Sequence, residues 1–521
     1  MNDGEKVTSY MQEWITKGKS VSDAITAEEI KSWVPEVPVI ILSGTGTGKS
    51  HFIKNSVYRV AKGAGDRILM LIHRVNCVEQ FQKEIEEDDD SQKKEFIQVG
   101  TYQKIQYDEL HGKESELQSF RYIVSDEFHY FISDANFNNA TDVSFEKIMS
   151  MKDSVKIFMS ATGEDVARYI VNNACVQPKV YKLNLPKPPI GQLTFFHSEK
   201  ALEDLAKELV KKGEKGIFFI NSVRRAYQLY EHFSEYAVFN CSRKHELHEK
   251  VNEDKIAKIL KEERFESLLL ITSTCMDAGI NLKDPDLKHI IIDVPDVGSL
   301  IQCIGRKRSQ SDDDTADVYI KSISNRLLGS RKGKLSQSLM MADYLRNHTA
   351  AEYMQKYPRQ YDSTGIVYDA KVAGNEDYNI KRVNELMYQK RKLDIDAINE
   401  MIGYGEYGYC KYIARKLGKY DPLFEYYDYS VIRGDLSLEE YLETHLGEVM
   451  LRCADRKDLI KKLDVKRNRK LKHSRDILNA ALKEDRLSYM IEEFETSRKD
   501  ENGKKRNYKN AWRIVRHEWP P

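Results

Sequence analysis

Ser43-Gly44-Thr45-Gly46-Thr47-Gly48-Lys49-Ser50 is the stretch on which the reading of the chain turns. An apolar run, Val37 to Leu42, comes just before it and reads as a buried strand. His51 to Ala61 follows and reads as a helix, with Phe52, Ile53, Val57 and Val60 at helical spacing. Strand, glycine-rich loop and helix, in that order, make the setting of a phosphate-binding loop. Gly44, Thr45, Gly46, Thr47 and Gly48 form the cradle, because glycines let backbone N–H groups turn inward on an anion. The helix start adds the positive end of its dipole. Lys49 adds a full charge for the outer phosphates, and the Ser50 hydroxyl is placed for Mg2+. The usual pattern opens on glycine where this chain has Ser43, still small enough for the turn. The plain alternative is a Gly/Thr-rich turn with a chance lysine.

A chain of 521 residues, 41% hydrophobic, has material for several cores, so three or four domains are expected. Lys plus Arg equals Asp plus Glu, so net charge neither demands nor excludes a nucleic-acid partner. The seven cysteines, Cys77, Cys175, Cys241, Cys275, Cys303, Cys410 and Cys453, are scattered and form no C-x-x-C pair. That argues against a zinc site, an iron–sulfur cluster or a disulfide framework, and for a reducing, cytoplasmic setting. The polar N-terminus lacks the apolar core of a signal peptide, and no run of about 18 apolar residues occurs, so no membrane partner is expected.

Taken in order, residues 1 to about 36 read as helical, a small packing element in front of the loop. Alternation follows. Strands are expected at Arg67–Ile72, Phe96–Val99, Tyr122–Ser125 and Ser154–Met159, with a helix over Asn76–Glu87. Such alternation implies a parallel sheet with helices on both faces, and ligands at the carboxyl ends of its strands. The stretch Gln177 to Gln192, with four prolines, reads as an extended linker. A second alternation has strands at Gly216–Ile220, Ala237–Phe239, Ser267–Thr272, His289–Val294 and Ala316–Ile320. Its helices are Val223–Phe233 and the one opening at Leu300, and it has no phosphate loop of its own. From about residue 326 strand runs stop, and helical periodicity, charge and tyrosine dominate. Those tyrosines either stack bases or build an ordinary helical core.

Asp126-Glu127 ends an apolar strand and supplies what the phosphate loop lacks. One carboxylate holds Mg2+; the next orients and deprotonates the attacking water. The alternative is an acidic turn capping the next helix. With the phosphate loop and Asp126-Glu127-Phe128-His129, the sets Ser160-Ala161-Thr162 and Gln302-Cys303-Ile304-Gly305-Arg306-Lys307-Arg308 make four ordered signatures. Together they resemble motifs I, II, III and VI of the superfamily 2 DExH-box helicases. Weaker matches agree: His73-Arg74 with Gln80, Thr101-Tyr102-Gln103, Phe218 to Ser222, and Thr272 to Asn281. The resemblance covers about residues 37 to 325.

The resemblance implies two tandem RecA-like parallel-sheet domains with ATP and Mg2+ at their seam. It assigns Lys49 and Ser50 to phosphates and Mg2+, Asp126 to Mg2+, and Glu127 to the catalytic base. His129, Ser160 and Thr162 would couple nucleotide state to the nucleic-acid side. Gln302, Arg306 and Arg308 would reach the γ-phosphate, while Gly279 and Asn281 would lie near the ribose. Arg74, Thr101, Asn221 and Thr274 would touch the nucleic-acid backbone. Two departures stand out. Arg308 comes one residue earlier than the family's last arginine, whose place Ser309 takes, and Asn281 stands where many members have Asp.

The expected organisation is a helical element over 1–36, an ATP-binding domain over 37–184, a second RecA-like domain over 185–325, a helical accessory region over 326–449, and a winged helix over 450–521. The last rests on helices at Asp455–Leu463 and Leu471–Leu482, then strands Tyr489–Arg498 and Tyr508–Val515 around an Asn-Gly turn. In that reading the second helix enters a major groove, and Lys504, Lys505 and Arg506 lie on phosphates. The alternative is a charged helical tail packed on the core. The function implied is an ATP-dependent helicase or translocase, on DNA sooner than RNA. The competing functions are a nucleic-acid-stimulated ATPase that remodels complexes without separating strands, and a non-enzymatic scaffold.

Overall fold

The computed structural model describes residues 13–519 except 17–19, 45, 114–115, 134–137, 139, 174–175, 184–189, 244, 274–280, 312, 359–364, 373–374, 424–425, 433–435, 468–469 and 500–504. The chain divides into two compact units, Met1–Pro186 with Lys332–Ala397, and Lys187–Arg331 with Ile398–Pro520.

The first unit is built on a seven-stranded parallel sheet. Its strands are β1 (Glu13–Thr16), β2 (Val39–Leu42), β3 (Ile68–Ile72), β4 (Ile97–Thr101), β5 (Tyr122–Asp126), β6 (Val155–Ser160) and β7 (Lys179–Leu183), in the order β1-β7-β2-β6-β5-β3-β4. β2 and β3 are apolar at every position because helices cover both faces. Alternate side chains enter opposite cores. Val39, Ile41, Ile68, Met70, Val155 and Ile157 pack in one layer, and Ile40, Leu42, Leu69, Leu71, Ile123 and Phe158 in the other. The helix after β2 runs from Lys49 through a π-helical turn, Ile53–Val57, to Ala64, where Gly65 at φ +77° ends it.

The second unit holds another seven-stranded parallel sheet. Six strands are β8 (Ile190–Phe196), β9 (Lys215–Ile220), β10 (Ala237–Asn240), β11 (Leu269–Thr272), β12 (Leu287–Asp293) and β13 (Ala316–Lys321). The order is β10-β11-β9-β12-β13-β8, and the short strand Ser430–Ile432 closes the edge beside β8. Further along, helices Leu438–Thr444, Lys457–Leu463 and Arg475–Glu484 pack with a three-stranded antiparallel sheet, Val449–Met450, Lys505–Arg516 and Tyr489–Lys499. Leu442, Leu459, Leu463, Leu478, Leu482, Trp512 and Ile514 are its core. No helix among the described residues is long and apolar enough to cross a membrane.

Several sequence expectations are corrected here. Residues 1–36 are not wholly helical: Glu13–Thr16 is the edge strand β1, paired in parallel with β7. The presumed linker at 177–192 contains β7 and the start of β8, and only 184–189 lie outside the described residues. Strands do not stop at 326. Val367–Val372 and Asn375–Val383 form an antiparallel hairpin, fixed to the first unit by Tyr368, whose hydroxyl lies 3.1 and 3.0 Å from the Asp142 carboxylate oxygens. The helix expected over Leu471–Leu482 begins at Arg475. The basic stretch before it forms a short strand pair, Lys466–Arg467 with Lys470–Leu471. The helix expected over Asp455–Leu463 begins at Lys457, and the Asp455 carboxylate accepts from the N–H groups of Leu451 and Arg452, both 2.9 Å.

Candidate active site

β2 delivers the glycine-rich loop at its carboxyl end, and the Ser43 N–H donates to Ser160 O at the end of neighbouring β6 (3.1 Å). The loop closes on itself. Thr47 Oγ1 donates to Gly44 O (2.7 Å) and lies 3.0 Å from Ser43 Oγ, a contact that the usual glycine would not offer. Lys49 Nζ donates to Ser43 O and Gly44 O, both at 3.1 Å, which holds the ammonium over the loop. Gly46 and Gly48 both have φ +83°, a backbone that L side chains rarely adopt. The segment ahead of β2 buttresses this loop. Val21 N–H donates to Thr47 O (3.0 Å), and Trp33 packs edge-on to Phe52 of the following helix.

Asp126 ends β5, and Glu127 follows at φ +48°, a left-handed conformation that costs a non-glycine residue about 1–3 kcal/mol. Ser160 Oγ donates to Glu127 Oε2 (3.0 Å), His129 Nδ1 lies 3.3 Å from the same oxygen and 2.9 Å from Ser160 Oγ, and Thr162 N–H donates to Ser160 Oγ (3.1 Å). Burial pushes both carboxyls up. At Asp126 that push, reinforced by the Glu127 charge, outweighs Lys49 and holds the carboxyl above the usual range. At Glu127 burial is outweighed by the Lys49 charge and by His129 and Ser160, which hold the carboxyl well below the usual range. Of the two, Glu127 is the carboxyl held toward its charged form, the form that can accept a proton. Asp126 Oδ1 is shut off from solvent without a hydrogen-bond partner among the described residues, a donor set suited to a hard cation.

The expected coupling residues lie together with two whose roles sequence reasoning missed: His73, quoted there only beside Arg74, and one further residue. The His73 ring sits edge-on to His129, centroids 6.1 Å apart, and His73 Nε2 accepts from Arg74 Nε (3.1 Å). Gln103 holds His73 O (3.0 Å), and Tyr102 OH donates to Asp126 O (2.8 Å). A continuous set of contacts thus runs from Glu127 through His129 and His73 to Arg74. Thr101 accepts from Lys104 N–H and caps its helix. The other missed residue is Gly163, where a Cβ would sit 2.3 Å from Phe128 Cζ. Phe128 is fully buried beside the acid pair, so its ring has nowhere to go. Gly163→Ala is expected to cost about 1–3 kcal/mol by overpacking, read as a lower midpoint in thermal or urea unfolding. An unchanged midpoint would mean that Phe128 repacks freely.

In the second unit, Gln302 is buried in the helix Val297–Ile304, and Arg306 is buried just after it. Lys307 points inward to an ion pair with Asp314 (2.6 Å). The two departures from the family pattern meet each other: Arg308 Nε donates to Asn281 Oδ1 (2.8 Å), while backbone bonds from Leu282 N to Arg306 O and from Arg308 N to Leu282 O join the two segments (both 2.8 Å). Asn221 N–H donates to Asp293 O (2.9 Å). Neighbouring Ser222 caps the helix Val223–His232 and also bonds Asp485, beyond the expected core. Thr45, Thr274 and Gly279 lie outside the described residues.

Residues 11–165 match the family described as type III restriction enzyme, res subunit, and residues 199–308 match the helicase conserved C-terminal domain. A comparison with curated proteins returned no match. Similar solved structures include S. cerevisiae Dbp5 carrying one substitution, bound to RNA and ADP BeF3. It is 19% identical, with 57% of this chain and 82% of that one covered and a TM-score of 0.43. The DUF1998 helicase MrfA bound to DNA and AMPPNP is 16% identical, with 55% and 46% covered and a TM-score of 0.41. Mycobacterium smegmatis helicase Lhr bound to ssDNA and AMP-PNP is 14% identical, with 75% and 59% covered and a TM-score of 0.36. The first family match contains Lys49, Asp126, Glu127, His129, Ser160 and Thr162; the second contains Asn221, Asn281, Gln302, Arg306 and Arg308. Both matches, in this order on two parallel-sheet units, identify residues 11–165 and 199–308 as the core of a superfamily 2 helicase.

Proposed function

We propose that the chain is an ATP-dependent motor that moves along nucleic acid and separates its strands, duplex DNA being the preferred substrate. The observation that carries this reading is the acid pair at the end of β5, with Glu127 held by Ser160 and His129, and Lys49 poised over the glycine-rich loop. Lys49 and the Gly44–Gly48 backbone bind the triphosphate. Ser50 and Asp126 hold Mg2+, which neutralises phosphate charge when bound. Glu127 orients the attacking water and takes its proton at a carboxylate oxygen. The network from Glu127 through Ser160, His129 and His73 to Arg74 supports a role for these side chains in passing the state of the nucleotide to the nucleic-acid side. Gln302, Arg306 and Arg308 act on the γ-phosphate, and Asn281 and Gly279 near the ribose. Thr101, Asn221 and Thr274 join Arg74 on the phosphodiester backbone, so the core grips without reading bases.

The C-terminal order of helix, strand, two helices and hairpin supports a winged helix, the feature that favours DNA. The test is ATP turnover with a panel of single- and double-stranded DNA and RNA, followed by strand release from a forked duplex. DNA is expected to stimulate turnover most, and ATP to be required for release. Turnover indifferent to every nucleic acid would overturn the reading. Stimulation without strand release would leave a remodelling ATPase in its place.

A further inference from the structure

We propose that the C-terminal hairpin Tyr489–Lys499/Lys505–Arg516, and not the helix Arg475–Glu484 beside it, is a second grip on the phosphodiester backbone of duplex DNA, carried on the helix after β9 by an Asp485 clamp. The inference rests on the nucleic-acid reading above and assigns the contact to one element.

The base of the hairpin is structural, with Tyr489, Ile491, Trp512 and Ile514 in the local core and Ala511 also buried. Its outer half is not: Ser497, Arg498, Lys505, Arg506, Asn507, Lys509 and Asn510 are exposed. Between 498 and 509 the sequence has six basic residues against two acidic ones. The register sets Arg498 opposite Arg506 and Lys499 opposite Lys505. Like charges directly across a sheet destabilise it, so a hairpin selected only for stability would pair opposite charges here. Because successive residues of a strand face opposite sides, Lys505 and Arg506 put cations on both faces of the ribbon. A two-stranded ribbon charged on both faces suits a duplex groove flanked by two rows of phosphates.

The helix offers a poorer surface. Its exposed positions include Asp476, Ala480 and Lys483, which cancel in charge, and Arg475 is already paired with Asp476 (2.8 Å). The residue that follows it, Asp485, is buried against the start of the helix Val223–His232, which follows β9. Its carboxylate binds Ser222 Oγ, accepts from Arg224, and lies 3.3 Å from Arg225 Nε. Arg225 continues to Glu199 (2.9 Å), which Lys321 also bonds (2.9 Å) and which accepts from the Leu438 N–H that opens the C-terminal core. The end of the helix is thereby committed to docking, and the hairpin is fixed to the loop after β9 that carries Asn221.

The test uses the full chain with Arg498→Glu and Lys505→Glu together, against Lys483→Glu. The double substitution places opposite charges across both pairs, so its unfolding midpoint stays level or rises. Its affinity for a blunt DNA duplex falls roughly 10- to 100-fold, and the salt dependence of log K becomes shallower by about two, near 0.9 per lost phosphate contact. Lys483→Glu leaves affinity and slope as they were. Wild-type affinity and slope in the double variant, or a loss confined to Lys483→Glu, would overturn the hairpin grip while leaving the motor standing. A wild-type chain that binds no nucleic acid overturns both.

Discussion

Lys49→Ala and Glu127→Gln are each expected to abolish ATP turnover in a folded protein, and to do so for different reasons. Lys49 supplies a charge that the loop holds ready through Ser43 O and Gly44 O. Without it the outer phosphates lose their main cation, so binding and turnover fail together. The loop itself survives, because Thr47 still ties Gly44 and Ser43, and Val21 still donates to Thr47 O. Glu127→Gln leaves the loop untouched and keeps an oxygen for Ser160 Oγ, so nucleotide still binds. What disappears is the ionised carboxylate that receives the proton of water. A positioned general base is typically worth 10²–10⁴ in rate, and its loss together with disturbed water orientation takes turnover to the detection floor. The measurement is steady-state phosphate release beside equilibrium binding of a fluorescent ATP analogue. The expected split is no binding for Lys49→Ala and near-native binding for Glu127→Gln. Wild-type turnover in either variant would remove that residue from the site.

The same pair of residues shows which parts of the molecule are legible in sequence. Lys49, Asp126, Glu127 and Ser160 stand at the ends of apolar runs, and those runs are strands because helices bury both of their faces. A run such as Val39–Leu42 needs no partner to be recognised. β1 and β7 do. Glu13–Thr16 is four residues of mixed character, and it is a strand only because β7, far along the chain, pairs with it. The hairpin at 367–383 has six charged residues among seventeen, and what holds it is the buried Asp142 of another segment. Short polar strands of this kind carry no periodic signal of their own, because their stabilisation is long-range.

Side-chain partnerships divide in the same way. The contacts among Glu127, His129 and Ser160 join two motifs already placed on neighbouring strand ends, so the sequence points to them. His73 between Arg74 and His129 is one step further, since its ring serves as a spacer between two recognised motifs. Gly163 is beyond reach, because its requirement comes from the Phe128 ring lying against it. Asp485 is the extreme case: a bond to Ser222 across 263 residues leaves no trace in either local pattern. The meeting of Asn281 and Arg308 is different again. Each is visible as a departure from the family's motifs, but only the fold shows that the two departures are one arrangement.

That arrangement sets the expected result for the arginines. Arg306→Ala is expected to lower kcat by about 10³-fold or more, the scale of an arginine that meets charge developing on a transferred phosphoryl group, with ATP affinity changed only a few-fold. An interaction made in the transition state and not before it lowers kcat in this way, whereas one made equally in both states would raise KM instead. Arg308 follows Arg306 by two residues, with Lys307 between them turned inward onto Asp314. The backbone bonds to Leu282 keep this short segment extended, and in an extended chain alternate residues share a side. Arg308 is thereby directed as Arg306 is, despite its early position, and Asn281 Oδ1 fixes its guanidinium. Arg308→Ala is therefore expected to lower kcat in the same manner but less steeply. Asn281→Ala should reproduce part of that loss by releasing the guanidinium. The double variant should then be no worse than Arg308→Ala alone, since residues that act as a unit are not additive. Single-turnover hydrolysis and analogue binding on the four proteins check the set. Additive losses at Asn281 and Arg308 would show that Asn281 acts on the nucleotide directly, and normal turnover with weakened binding in Arg306→Ala would show that Arg306 binds ATP without catalysing its hydrolysis.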